Sequence, residues 1–405
     1  VNLLLILSFI ITLLPIVLYT GAINFETLFD VSERFGISKE ESMWWMIVLI
    51  GVLGSVYAIF GGLKAIAYSD MIYGIGLFIG GLAVPFFALY EIGETDIAGG
   101  LKKVYEHAPE KFNSIGSSDS VVPFGTLFTG LVINQIYFWC MNQVIVQRAL
   151  GAKNLKEAQK GFLIMGLFKI LMPLIIVLPG VIGFYYFNDS LYTNQDTIYP
   201  ELVKKVLPVS LIGIFAAVVL GTVLSTVNAV LNSAVTLFTL GVYKRQINPA
   251  ADEKKLVRTG RWASILLAVF GIAVAPMVAK APEGLYQMLQ ELNGIFFIPI
   301  ASVLLGGFFI KSISATGAKV AIFTGLAFYL LTTFIFKVDI HFIHVWGIEF
   351  VLNILVMLLV SKFYPNTNPY QPVHTGEVNI EPWKYTKPVS IFLVLATIAV
   401  YYFLS

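Results

Sequence analysis

Lys169 sits inside the apolar stretch that runs from Gly161 to Phe187. An ionised lysine at the centre of a membrane helix costs roughly 2.5–3.5 kcal/mol on insertion scales, so it is kept where a cavity, a partner or a substrate compensates it. Snorkelling toward a helix end, or a structural ion pair, is the plainer alternative. Polar residues also interrupt two other apolar stretches. One carries Asn134, Gln135, Asn142 and Gln143 beside Tyr137, Phe138 and Trp139; the other carries Gln290, Glu291 and Asn293 beside Gly294 and Pro299. Amides and an ammonium group satisfy many hydroxyls, and an aromatic ring stacked on the apolar face of a pyranose encloses it. A polyhydroxylated solute suits that inventory. In isolation, Phe138 is equally a packing aromatic and Gln290 an interhelical hydrogen-bonding group.

A second constellation offers oxygen to a cation. Thr222, Ser225 and Thr226 lie in a small-residue stretch with Gly221. Neutral hydroxyls with backbone carbonyls can replace the water of a sodium ion without the full charge that a divalent ion demands. Packing between helices is the competing role for such hydroxyls. Other chemistries find little footing. Of the four histidines, His107, His341, His344 and His374, two form an i, i+3 pair, yet no cysteine or second acidic partner gives them metal-ligand spacing. The sequence contains no P-loop or dinucleotide fingerprint.

The elements that position these groups are membrane spans. Hydrophobic residues make up 58% of the 405 and charged residues 12%, which places the chain among polytopic membrane proteins. Apolar stretches long enough to cross a core of about 30 Å are expected at 2–28, 43–62, 70–92, 122–149, 161–187, 208–243, 260–279, 285–309, 317–336, 343–361 and 389–405. The lipid bilayer is therefore a partner. A net charge of +2, with the basic residues dispersed among loops, gives no reason to expect nucleic-acid binding. The single cysteine, Cys140, excludes a disulfide within the chain. Loops after the even-numbered spans hold 16 of the 26 Lys and Arg, so the positive-inside rule puts the start of the chain in the cytoplasm and its end outside. Val1 opens directly in an apolar run without the basic lead of a signal peptide. A cytoplasmic start there is expected if an odd number of earlier spans precedes it.

The residues themselves carry a resemblance. The run 61–70, GGLKAIAYSD; the run 137–154, YFWCMNQVIVQRALGAKN, continued by Glu157, Ala158, Gln159, Lys160 and Gly161; Lys169 followed by Pro173 and by Leu178, Pro179 and Gly180; and Leu231, Asn232 and Ser233 resemble the sodium/solute symporter family, nearest its sodium-coupled sugar branch. The resemblance implies an all-α fold with a five-plus-five inverted-repeat core of the leucine-transporter kind and extra C-terminal helices. On that pattern residues 1–92 hold the third to fifth helices of the first repeat, 93–121 an extracellular loop, 122–309 the second repeat and 310–405 peripheral helices. The peripheral first helix and the first two core helices are expected to be missing.

By the same resemblance, Lys169 and Gln290 stand where the family contacts sugar. Gln135 matches a sugar-contacting asparagine, with Asn134 one residue away, and Phe138 replaces a tyrosine that stacks on the sugar from the cytoplasmic side. Ser225 and Thr226 match the hydroxyls of the sodium site and Thr222 its carbonyl, while Asp70 matches an acidic residue on the sodium exit route, a relay and not a direct ligand. Asp70 also suits a helix cap. The expectation is a multi-pass transporter of the plasma (inner) membrane, not an enzyme, that carries a monosaccharide or related polyol with sodium as the co-transported ion by alternating access. A non-sugar solute such as an amino acid, carboxylate, nucleoside or anion is the alternative, and a transporter-like sensor a more distant one.

Overall fold

The computed structural model describes residues 1–115, 117, 120–187, 195–280, 285–366 and 378–404, with the side chains of 60–66 and 280 left aside. His374 lies outside the described residues. Among these residues the secondary structure is helical, with no strand. That is what a hydrocarbon solvent demands, because a helix satisfies its own backbone hydrogen bonds.

Among the described residues ten helical spans are long and apolar enough to cross a membrane, two of them within one continuous helix, one fewer than expected. The first, α1 (Asn2–Phe29), is followed by α2 (Lys39–Ile92), which opens on a capping box between Ser38 and Glu41. A straight helix of 54 residues would span about 81 Å, far more than a bilayer. Instead α2 bends back. Tyr57 Oη donates to Ser69 Oγ at 2.5 Å, whereas twelve residues of straight helix rise about 18 Å. The loop expected around Lys64 is thus a helical bend joining two spans, Lys39–Ile59 and Ala67–Ile92.

The expected span 122–149 is not one helix. It comprises a 3-10 turn at Phe124–Phe128, then α3 (Gly130–Cys140) and α4 (Gln143–Leu150). At the second break both Met141 N and Asn142 N donate to the Tyr137 carbonyl. The Asn142 side chain accepts from Val144 N at 2.9 Å, restarting the helix. With 11 residues, α3 rises only about 16 Å.

Next come α5 (Leu155–Phe187), the short α6 (Ile198–Val206), α7 (Val209–Ile247), α8 (Glu253–Ala279), α9 (Leu285–Phe309), α10 (Ala315–Ile335), α11 (Phe342–Phe363) and α12 (Thr386–Phe403). Helix α7 packs along both halves of α2. Association between helices in lipid rests on close van der Waals fit between backbones, which small residues permit. At Gly221 a Cβ would lie 2.2 Å from the Tyr73 ring, and at Gly54 2.7 Å from Val227. Around this seam Leu14, Leu18, Ile47, Ile50, Val230, Leu231 and Ala268 join α1, α2, α7 and α8 in one core. A second core, through Tyr137, Phe297 and Ile300, seats α3 on α9. A third, through Ile298, Tyr329 and Trp346, seats α9 on α10 and α11. By contrast, α5 has 6% of its apolar window buried and α12 none.

Candidate solute and cation sites

The interruption of α3 and α4 decides which polar groups face where. Asn134 and Tyr137 share the buried face of α3, at 3% and 0% exposure. Gln135 and Trp139, at i and i+4, share the other face, and Trp139 Nε1 donates to Gln135 Oε1 at 2.9 Å. Across from them on α5, Lys169 Nζ lies 4.2 Å from the centroid of the Trp139 ring, within cation–π range. The structure therefore brings together Lys169, Trp139 and Gln135, and it separates Asn134 from them. Trp139, noticed in the sequence only as one of three aromatics, is the residue that joins the other two. The ammonium makes no ion pair among the described residues. A cation, an indole N–H and an amide lie side by side there on one face.

Phe138 turns partly into the α3–α9 core. Its ring lies 5.0 Å from Trp139 and 6.4 Å from Phe297, so it packs beside the constellation. Gln290 is buried on α9 and engaged by its own helix, donating to Tyr286 Oη at 3.2 Å and accepting from Asn293 Nδ2 at 3.1 Å. No contact joins it to Lys169 or Gln135 among the described residues.

The hydroxyls of α7 divide into two kinds. Thr222 Oγ1 donates to the Val218 carbonyl at 2.9 Å, and Thr226 Oγ1 donates to the Thr222 carbonyl at 2.8 Å. Both bond back within their own helix, a habit of hydroxyls in helix interiors, and the second engages the carbonyl assigned to a cation. Ser225 behaves differently. Its Oγ donates across to Asp70 Oδ1 on α2. The other oxygen of Asp70 receives Arg148 Nη2 at 2.7 Å and Nε at 2.8 Å from α4, a charge-assisted contact in which two N–H groups converge on a single carboxylate oxygen. Asp70, expected as a relay and not a direct ligand, is thus in direct contact with Ser225, one of the candidate cation ligands. Arg148 is the partner the sequence did not reveal. One turn beyond Ser225, Asn228 is fully buried with neither amide atom hydrogen-bonded. At the N-terminal end of α3, His344 Nδ1 meets Thr129 Oγ1 at 3.0 Å, while burial and the neighbouring His344 lower the His341 pKa.

An oxygen-rich point on α7 and α2 and a cation–indole–amide face on α3 and α5 together suit a small polar solute and a monovalent cation. Comparison with known proteins agrees with that class. The model of the sodium:solute symporter family matches residues 1–325. The uncharacterized symporter YidK of Escherichia coli (strain K12) is 42% identical over 388 residues, covering 96% of this chain and 68% of that protein. The sodium/glucose cotransporter of Vibrio parahaemolyticus is 30% identical over 339 residues, covering 78% and 60%. The human sodium/myo-inositol cotransporter 2 is 29% identical, covering 78% and 50%. This chain thus spans between half and about two thirds of the length of these relatives. A solved structure of a Na+-coupled sialic acid symporter superimposes with a TM-score of 0.71 at 18% identity, over 92% of this chain and 75% of that one, which identifies the fold as the inverted-repeat fold of that class. By its matched residues and its helices, this chain is a multi-pass membrane protein belonging to the sodium:solute symporter family.

Proposed function

We propose that the chain performs sodium-coupled symport of a monosaccharide or related polyol by alternating access, in the cell's plasma (inner) membrane. The observation that carries this reading is the face formed by Lys169, Trp139 and Gln135 beside an interrupted helix. Transporters place their sites where broken helices turn polar groups toward a cavity at the membrane midplane. The indole offers a stacking surface, and the amide and ammonium offer hydrogen bonds for hydroxyls. Sugar or polyol cotransport in the named relatives favours the same solute class. Ser225 and the Asp70 carboxylate supply hard oxygen for sodium, and Gln290, Phe138 and Asn134 stay candidate solute residues by resemblance, set apart from that face.

The unpaired ammonium of Lys169 favours one second reading, a solute that carries a carboxylate. Uptake into sealed proteoliposomes, with an inward sodium gradient and a panel of labelled hexoses, polyols and carboxylates, separates the two. The first reading expects a neutral hexose or polyol to be accumulated, with Lys169→Ala weakening its apparent affinity by about 1–3 kcal/mol, the usual cost of a lost hydrogen bond to a charged group. A carboxylate preferred over every neutral sugar, with that preference abolished by Lys169→Ala, establishes the second. Accumulation that ignores the sodium gradient rejects both.

A further inference from the structure

The face of α11 turned toward α9 and α10 holds polar groups that the proposed transport reading does not use. Glu349 is 0% exposed, lies one-third of the way along α11, and neither carboxyl oxygen has a hydrogen-bond partner. Asn353, one turn further and also 0% exposed, donates weakly to Ser302 Oγ of α9 at 3.4 Å, and its Oδ1 has no partner. Both residues crowd α10 at Gly325. A Cβ built there would meet Asn353 Nδ2 at 2.5 Å, Asn353 Oδ1 at 2.7 Å and Glu349 Oε1 at 2.9 Å. The Asn353 amide and the Glu349 carboxyl, with their oxygens unsatisfied, therefore converge on one point where the third helix has been trimmed to a glycine.

An ionised carboxylate without a partner is among the costliest groups to place within a membrane. Among the described residues no cationic side chain pairs with it. The elements packed against α11 are α3, α9 and α10. Their titratable groups are Tyr137 and Cys140 on α3, Tyr286 and Glu291 on α9, and Lys319 and Tyr329 on α10, with His344 and Lys362 on α11 itself. Of these, Lys319 and Lys362 are exposed, His344 is bonded to Thr129, and Tyr329 Oη donates to the Glu291 carbonyl at 3.0 Å. A metal ion ringed by oxygens needs room among them, which the packing at Gly325 does not leave. A proton needs none. One proton on Glu349 turns an acceptor into a donor and gives Asn353 Oδ1 the partner it lacks.

We propose that Glu349 is a proton-binding site, its carboxyl protonated and hydrogen-bonded to Asn353 Oδ1, and that this bond fastens α11 to α9 and α10. Loss of the proton leaves a bare charge in the seam, so alkaline pH loosens that contact. The site is separate from the sodium and solute residues and stands or falls independently of them.

Infrared spectroscopy of the protein in lipid nanodiscs tests it. At neutral pH the spectrum contains a protonated-carboxyl C=O band that is missing from Glu349→Gln and that moves to higher frequency in Asn353→Ala, where the acid loses its acceptor. As pH is raised the band disappears and the melting temperature of the unmodified protein falls. In Glu349→Gln, whose amide can donate as the acid does, that alkaline fall is reduced. Should Glu349→Gln fail to fold, the band and its shift in Asn353→Ala still decide the matter. A carboxylate band for Glu349 at neutral pH, or an acid band indifferent to Asn353→Ala, overturns the proposal. Replacement of the acid band on adding sodium at fixed pH assigns the site to a metal cation instead.

Discussion

Asp70 has two partners of different kinds, the Ser225 hydroxyl on one oxygen and the Arg148 guanidinium on the other. Ser225 is the α7 hydroxyl turned outward from its own helix, whereas those of Thr222 and Thr226 are donated to backbone carbonyls. All three hydroxyls keep lone pairs for a cation, but of the three Ser225 is the one held beside a carboxylate, whose charge also draws a cation. We therefore expect Ser225→Ala to raise the sodium concentration for half-maximal uptake more than Thr226→Ala does, with both proteins still reaching the membrane. Linkage then requires solute affinity, measured by direct binding, to lose its sodium dependence in step. A Ser225→Ala/Thr226→Ala double variant with unchanged sodium dependence would place the cation elsewhere. Lys169 and Ser225 were legible because residue type alone marks them, a charge or hydroxyl where lipid-facing chemistry calls for a hydrocarbon. Arg148 was not legible as a partner, since 78 residues separate it from Asp70 and only the fold brings them together. Which of Gln135 and Asn134 shares a face with Trp139 also needed the fold, which turns adjacent residues of a helix about 100° apart.

At the scale of elements, hydropathy finds apolar length and is blind to backbone continuity. Residues 122–149 read as one span because their apolar length outweighs the amides within it, yet Asn142 caps a new helix in the middle of it. Conversely, residues 63–69 read as a loop between two spans, while the backbone stays helical and bends. The other spans were legible to within a few residues, since length and apolarity suffice for them. The break at Met141–Asn142 has a direct consequence. It separates α3, which carries Trp139 and Gln135, from α4, which carries Arg148, so the two candidate sites lie on opposite sides of one joint. Asn142→Ala removes the cap at a cost of about 0.5–2 kcal/mol. Asn142→Asp retains an acceptor for Val144 N. The expected outcome is that Asn142→Ala lowers the melting temperature and the uptake rate, and that Asn142→Asp recovers more of the stability than any other single change there. Equal losses in the two variants would mean that the amide acts through something other than the cap.

For the molecule as a whole, the bilayer changes what holds the fold together. Lipid gives helices no hydrophobic reason to associate, so glycine contacts such as Gly221 on Tyr73 and buried polar links carry more of the task. Alternating access requires that the links at each end can open. Asp70 and Arg148 tie α2 to α4. On the side that the positive-inside reading places outside, Asp196, in the turn before α6, accepts from Leu285 N at 3.3 Å at the start of α9, the helix that carries Gln290. Burial pushes the Asp196 carboxyl above the ordinary aspartate range, and the Leu285 N–H only partly offsets that. The sign follows from proton counting. Between the ordinary value of about 3.9 and the raised one, the folded state holds more proton on this group than the unfolded state does, so its contribution to stability falls as pH rises through that window. Asp196→Asn keeps an acceptor for Leu285 N and removes the ionisation. We expect the stability of Asp196→Asn relative to the unmodified protein, read from paired melting curves, to increase as pH is raised through that window and then to level off once the unmodified aspartate is fully ionised. A difference that shrinks with rising pH would mean that the ionised aspartate is the form the outer contact prefers.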